Sequence, residues 1–239
     1  MPSQTFVIVT AYNEADRVAA TLRALASAFP QARVLLADDG STDGTARIAA
    51  PLGARIVRSE RTVGKGEAAT LAAREALEHA RAESVLGEAV FVLCDGDLGA
   101  SAVALAALAQ AIERGEADLA VAAFSRRVGG GFGFALGFAR WAIRSRCGLQ
   151  TTAPISGQRA LSARALADVL PFAHGFGMEI GMTVDAVRAG RRVLEIELDL
   201  EHRASGRTPA GFAHRARQLA DFVRVYLARG RLARARRPG

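Results

Sequence analysis

The chain has 239 residues, half of them apolar, and a formal net charge of +7. That length suits one large α/β domain with a substantial core. It contains no apolar run of the roughly 18 residues a membrane-spanning helix needs, no basic and apolar leader in Met1-Pro2-Ser3-Gln4-Thr5, and no metal or redox spacing between Cys94 and Cys147, so a cytoplasmic protein with reduced core thiols is expected.

Thr5 to Thr10 reads as a buried strand, and Ala15 to Ala28 as a helix with Val18, Leu22 and Leu25 on one face. Arg33 to Ala37 is a second strand. Ser41-Thr42-Asp43-Gly44, rich in capping residues, opens a helix reaching Ala50. Arg55-Ile56-Val57 is a third strand and Lys65 to Ala82 a long helix; residues 89–94 form a fourth strand, Ser101 to Arg114 a helix and Asp118 to Phe124 a fifth strand. This alternation predicts a mainly parallel sheet with helices on both faces. Ligands of such sheets sit outside the carboxyl ends of the strands, where Thr10 to Glu14, Asp38-Asp39 and Asp95 to Asp97 all fall. Past residue 125 the pattern loosens. After Gly129-Gly130-Gly131, Phe134, Phe138 and Trp141 recur at helical spacing. A helix over Met178 to Ala189, a strand over Val193 to Leu200 and a final helix over Gly211 to Arg229 complete the reading.

The densest chemistry stands at Asp95-Gly96-Asp97. Alternate side chains share a face of a strand, so these carboxylates can turn toward one site where the strand ends. Hard oxygen ligands suit Mg²⁺ or Mn²⁺, which usually also take substrate phosphate oxygens; a solvated loop is the plainer reading. Asp38 and Asp39 could accept hydrogen bonds from a base N–H or a ribose hydroxyl, or cap the helix after Gly40. Lys65 stands between two glycines, where backbone can approach a ligand while an ammonium faces phosphate; a surface turn explains it equally. Gly64-Lys65-Gly66 lacks the spacing of a Walker P-loop, and no Gly-x-Gly-x-x-Gly follows the first strand. Nucleotide binding here must use carboxylates and loops. From Arg203 to Arg237 the chain carries ten arginines and only Asp221 as an acid. Such a tail could touch anionic lipid or nucleic acid, or form a solvated helix face. No zinc-finger spacing or RNA-binding aromatic motif accompanies it, and nucleic acid is not expected.

Taken together, Thr10-Ala11-Tyr12-Asn13-Glu14, Asp38-Asp39-Gly40-Ser41-Thr42-Asp43-Gly44-Thr45, Gly64-Lys65-Gly66 and Asp95-Gly96-Asp97 resemble, in order and spacing, the family 2 type glycosyltransferases. The resemblance implies the GT-A fold, an α/β architecture with a mainly parallel central sheet flanked by helices, and a nucleotide-diphosphate sugar as donor. By it, Ala11, Tyr12, Glu14 and Asp39 hold the nucleoside, Lys65 lies near the base or diphosphate, Asp95 touches ribose or metal, and Asp97 binds the metal. Thr10 stands where the family often has proline.

The second half is similar to the glucosyl-3-phosphoglycerate synthases and their relatives. The matching segments are Ala153-Pro154-Ile155-Ser156-Gly157, Leu170-Pro171-Phe172, Gly175-Phe176-Gly177-Met178-Glu179-Ile180-Gly181 and Glu201-His202-Arg203. That resemblance implies His202 as a third metal ligand and places Glu179 in the acceptor region, where it could orient a hydroxyl or act as a base, or simply favour a helix N-terminus. One departure follows the triple glycine. The synthases place an arginine and a threonine there to grip the acceptor, whereas Phe132-Gly133-Phe134-Ala135-Leu136-Gly137-Phe138 stands here. In the polyprenyl-phosphate sugar transferases this region helps the enzyme meet lipid. Phe134, Phe138 and Trp141, backed by Arg140, Arg144 and Arg146, suit an interfacial helix; core packing or a homodimer contact are the other readings.

The resemblance therefore implies a metal-dependent hexosyltransferase using Mg²⁺ or Mn²⁺ on Asp95, Asp97 and His202, with Asp97 and Glu179 catalytic. UDP-glucose is the first donor to consider, and polyprenyl phosphate or a small phosphoglycerate-like molecule the acceptor. Residues 1–125 are expected to form the nucleotide-sugar half, and 126–239 the acceptor half with its basic helix, of one domain. The expected location is cytoplasmic, with peripheral contact at the inner face of the membrane if the acceptor is a lipid. A non-catalytic nucleotide-sugar-binding domain is the alternative.

Overall fold

Strand β1 (Thr5–Ala11) is buried along its whole length, and the other elements are arranged about it. A computed structural model describes residues 4–124, 134–200 and 218–230. In chain order β1 is followed by α1 (Val18–Ala28), β2 (Arg33–Asp38), α2 (Thr45–Ala49), β3 (Arg55–Arg58), α3 (Lys65–Ala82), β4 (Val90–Asp95), α4 (Ala106–Glu113) and β5 (Leu119–Phe124). Then come α5 (Phe134–Cys147), β6 (Arg159–Ser162), α6 (Ala163–Val169), α7 (Met178–Arg188), β7 (Val193–Leu198) and a last helix α8, 218–230.

Seven strands form one sheet in the order β3-β2-β1-β4-β6-β5-β7. β1 to β4 pair in parallel, as do β5 and β7, and β6 runs antiparallel to both its neighbours. The expected mainly parallel sheet is present. The period-2 alternation of β1 decides the layers: Phe6 and Ile8 face one core with α3, α6 and α7, while Val7 and Val9 face another with α1 and α4. On α3, Ala68, Ala69, Ala72, Ala73, Ala76 and Ala80 are all buried. Alanine favours helix, and its small side chain lets α3 lie close on the sheet. A third cluster joins Ala139 and Ile143 of α5, Ile180 and Val184 of α7, and Phe222 and Val225 of α8. Among the described residues no helix is long and apolar enough to cross a membrane.

The sequence pattern predicts no strand between 125 and 193, yet β6 and α6 lie there. Four residues beginning with an arginine are too short to show a period, and Ser162 caps α6 by accepting the Ala165 N–H at 3.2 Å. The helix expected from Ser41 begins only at Thr45, because Asp38, Asn13 and Asp43 side chains accept the amides of Ser41, Thr42 and Thr45 and hold a turn. The helix expected over 101–114 starts as a 3-10 stretch, Gly99–Leu105, before α4. Of the helix expected over 211–229, residues 211–217 lie outside the described residues.

Candidate active site

The parallel register sets the ends of β1, β2 and β4 side by side: Ala11 pairs with Asp38 and Thr10 with Asp95. In this order β1 connects outward to β2 on one side while β4 lies on the other, so a crevice opens at their carboxyl ends. The backbone ties the rim together. Ala11 O accepts the Asp39 N–H at 3.0 Å, and Thr10 O accepts the Gly96 N–H at 2.9 Å. The loop after β1 is fixed by side chains from the next turn. Ser41 Oγ accepts the Asn13 N–H and Thr45 Oγ1 the Glu14 N–H, each at 2.9 Å, and Asn13 takes a positive φ of 55°. Tyr12 beside it is 51% exposed at the crevice edge, available for an aromatic face to meet a base.

Asp39 accepts the amides of Val63 at 2.7 Å and Gly64 at 3.0 Å, clamping the segment that opens α3. Burial pushes its carboxyl up, against the pull of those two amides. Asp38 holds the turn before α2 rather than capping the helix, accepting the Ser41 N–H and pairing with Arg58 at 3.4 Å. Held this way, the first residue of α3, Lys65, points its ammonium between two carboxylates: Nζ is 2.7 Å from Asp95 Oδ1 and 2.8 Å from Glu179 Oε1. Burial works against the ammonium, but Asp95 and then Glu179 outweigh it and hold Lys65 above its ordinary pKa. Burial also works against Asp95; Lys65, Gln158 and Thr10 together hold its carboxyl below the usual carboxylate range. Thr10 Oγ1 donates to Asp95 Oδ1 at 3.0 Å and Gln158 Nε2 donates to Oδ2 at 3.1 Å.

The second half of the chain reaches the same point by a different route. Because β6 is antiparallel, its beginning lies where the parallel strands end, and Arg159 pairs with Leu93. The segment before β6 therefore crosses the rim. A Cβ on Gly157 would lie 2.6 Å from Asp95 Oδ2 and 2.7 Å from Lys65 Nζ, so only glycine fits over the ion pair. Arg159 is fully buried, with Nε donating to Ser156 O and Nη1 to Thr183 Oγ1. Burial pushes it down to about 10, with Glu179 and Glu195 resisting. Glu179 sits at the start of α7 and is 5% exposed. The turn before it is held on both flanks: Glu67 of α3 contacts His174, and Asp221 Oδ2 of α8 accepts the Phe176 N–H at 3.2 Å. Contacts here are backbone-close. A Cβ on Gly66 would lie 1.9 Å from Ala173 O, and one on Gly177 2.1 Å from Val225 Cγ2.

Of the residues expected from the sequence, Lys65, Asp95 and Glu179 meet directly, Ala11 and Asp39 support them from the rim, and Tyr12 and Glu14 occupy the first loop. Asp97 stands just beyond, half-buried, its main-chain oxygen accepting Arg17 Nη1 at 3.0 Å. His202 lies outside the described residues. Among the described residues no three His, Cys, Asp or Glu side chains gather as a metal cage. The carboxylates at Asp95 and Asp97 are nonetheless the hard donors that Mg²⁺ or Mn²⁺ takes. Gln158 and Arg159 were not foreseen; the only sequence signal near them was the Ala153 to Gly157 segment.

The family model described as Glycosyl transferase family 2 matches residues 6–168. Undecaprenyl-phosphate mannosyltransferase of Micrococcus luteus is 29% identical over 219 residues, 85% of this chain and 86% of that protein. Among solved structures, glucosyl-3-phosphoglycerate synthase of Mycobacterium tuberculosis in complex with phosphoglyceric acid superposes with a TM-score of 0.73 at 24% identity, covering 95% of this chain and 80% of that one. The same synthase with Mn²⁺, uridine-diphosphate and glucosyl-3-phosphoglycerate gives a TM-score of 0.73 at 23% identity, with the same coverage. The architecture shared with these structures is the GT-A fold.

Proposed function

The chain belongs to glycosyl transferase family 2 and is a glycosyltransferase by class, and from that premise we propose that it transfers a hexose from a nucleotide-diphosphate sugar to a polyprenyl phosphate. The observation that carries this reading is the Lys65 ammonium, which gathers Asp95 from the strand rim and Glu179 from α7 at one point. Residues 1–125 form the donor half and 126–239 the acceptor half of one domain. Tyr12 stacks on the base, Ala11, Glu14 and Asp39 line the nucleoside end, and Lys65 serves the diphosphate once the donor draws it away from Asp95. Asp97 with Asp95, and with His202 as third ligand, would hold Mg²⁺ or Mn²⁺. When bound, such an ion neutralises charge on the departing nucleotide diphosphate; the Mn²⁺ and Mg²⁺ complexes of the fold neighbour support this.

A phosphate acceptor is already an anion at neutral pH and needs no strong base, so Glu179 is not asked to deprotonate it; as a carboxylate paired with Lys65 it is suited to accept a hydrogen bond from a sugar hydroxyl. Polyprenyl phosphate is favoured by likeness over 86% of the undecaprenyl-phosphate enzyme and by the exposed Trp141 on α5, beyond the point where an apolar stretch stands in place of the synthases' arginine and threonine; Phe138 packs toward the third core cluster. Use of that acceptor implies a cytoplasmic protein working at the inner face of the membrane. A small phosphoglycerate-like acceptor is the second reading, supported by the complexes of the fold neighbour. The non-catalytic alternative gives way to the enzyme class. UDP-glucose is the first donor to test, with mannosyl donors beside it because of the relative's name.

The test is a matrix of UDP- and GDP-sugars against a short polyprenyl phosphate, 3-phosphoglycerate and glycerate, with Mn²⁺ or Mg²⁺, following nucleotide diphosphate release. Release that requires the prenyl phosphate is expected. Release only with phosphoglycerate would replace the acceptor assignment, and no release with any pair would sink it.

A further inference from the structure

We propose that the outer face of α8, continued by Trp141 of α5, is a docking surface for an anionic lipid bilayer. Phe222 and Val225 turn one face of α8 into the third core cluster. On the other face Leu219, Val223 and Leu227 recur every fourth residue and stay 39%, 38% and 51% exposed. Residues at that spacing form one stripe, and a stripe left outside a finished core has not found its partner. Tyr226, on the edge of the same face, lies 4.7 Å from the Trp141 ring. Trp141 is 52% exposed, so the Trp141–Tyr226 contact joins the outer faces of the two helices, with the Arg146 guanidinium 3.5 Å over the Tyr226 ring.

The charge around this surface has one sign. Arg140 and Arg144 of α5 and Arg224 of α8 are exposed beside it. In sequence, residues 203–239, of which 218–230 are described, hold ten arginines and one acid, Asp221. That acid is buried, accepting the Phe176 N–H on one oxygen and pairing with Arg224 through the other at 3.1 Å, so Arg140 and Arg144 carry most of the free charge beside the stripe. An amphipathic helix with an apolar stripe, a tryptophan at its margin and flanking arginines lies in the plane of a bilayer interface, and anionic headgroups attract the arginines. A second copy would bring the exposed Arg140 and Arg144 against a surface that carries the same arginines. Nucleic acid would neutralise the arginines but leave the leucine and valine stripe in water.

The inference deepens the lipid-acceptor reading and rests on it for its purpose, but its test does not need turnover. The full chain is mixed with vesicles of phosphatidylglycerol or of phosphatidylcholine, both free of prenyl phosphate, and followed by co-sedimentation and by emission of Trp141, the only tryptophan. Phosphatidylglycerol should bind the protein and move the emission to shorter wavelength, with binding roughly tenfold or more weaker on phosphatidylcholine. Replacing Leu219, Val223 and Leu227 by Ser should weaken binding by a similar factor, as should Arg140→Gln with Arg144→Gln, without changing the circular dichroism. No emission shift on phosphatidylglycerol, or full binding by the serine variant, would overturn the proposal. So would a dimer that the serine variant dissociates, or salt-sensitive binding of duplex DNA, with no vesicle binding in either case. Vesicle binding without sugar transfer to prenyl phosphate would leave the docking surface standing and remove the acceptor assignment.

Discussion

On the donor side, Thr10, Asp39 and Asp95 stand at the ends of adjacent parallel strands, and the sheet register alone brings them together. On the acceptor side, Gln158 precedes an antiparallel strand and Glu179 opens a helix, and their positions depend on contacts between distant segments: Lys65 with Glu179, Glu67 with His174, Phe176 with Asp221. The first arrangement tolerates surface changes because strand pairing fixes it. The second depends on a few close approaches that need glycine. The donor rim should therefore respond to substitution chemically, and the acceptor rim mechanically.

The largest effect is expected at Asp97. Asp97→Ala should lower turnover about 10³-fold, the scale of losing electrostatic stabilisation of a leaving group, with unchanged circular dichroism; near-normal turnover would remove Asp97 from the metal site. Next comes Lys65→Met, which strips the half-buried Asp95 and the buried Glu179 of their shared cation and should lower stability by about 2–3 kcal/mol in urea unfolding, less than for a fully buried pair. Adding Glu179→Gln to that variant should recover part of the loss, and strict additivity of the two changes would show that Lys65 does not couple the halves. Gly177→Ala has an ordinary backbone conformation but would drive its methyl into Val225. It should cost about 1–3 kcal/mol, read as a lower melting temperature, and Val225→Ala in the same chain should restore most of it. No rescue would mean that α8 does not brace the start of α7.

The smallest effect is the pH dependence. Asp95 and Glu195 have carboxyls held low in the folded chain, Asp95 against burial by Lys65 and Glu195 against burial by Thr151 and Thr152. Their stabilisation is present above the ordinary carboxylate pKa of about 4 and is lost as pH falls through the lowered values. Lys65 is held high, so its contribution is present below the ordinary lysine value of about 10.4 and fades as pH rises beyond it. Asp39, pushed up by burial, works in the opposite sense to the other two acids. Melting temperature should be broadly flat between those limits and fall below the lower one; a steady rise in stability down to pH 3 would contradict the assignment.

The donor half was legible because its signals are local. Short continuous apolar runs marked β1, β2 and β4 as buried strands, and the carboxylates at their ends follow from parallel topology. The acceptor half was legible only as short matching segments. Nothing in Arg159-Ala160-Leu161-Ser162 shows a strand period, and without β6 there is no reason to bring Gln158 to Asp95 or to bury a whole arginine beside Thr183. The meeting of Lys65 with Glu179, 114 residues apart, is likewise a product of tertiary packing. Asp38 caps no helix but holds the turn at Ser41, and Asp39 clamps the backbone before Lys65, roles that residue type alone does not distinguish from ligand contact.

Lys65 also bears on how such chains diversify. One ammonium belongs to both halves, so neither can be inherited alone. A chimaera that takes residues 134–230 from another member of the family must bring an acid to position 179, or surrender the lysine at 65 with it. Acceptor preference should drift most freely where no charge is shared, along the outer faces of α5 and α8, and most slowly at the turn that carries Glu179.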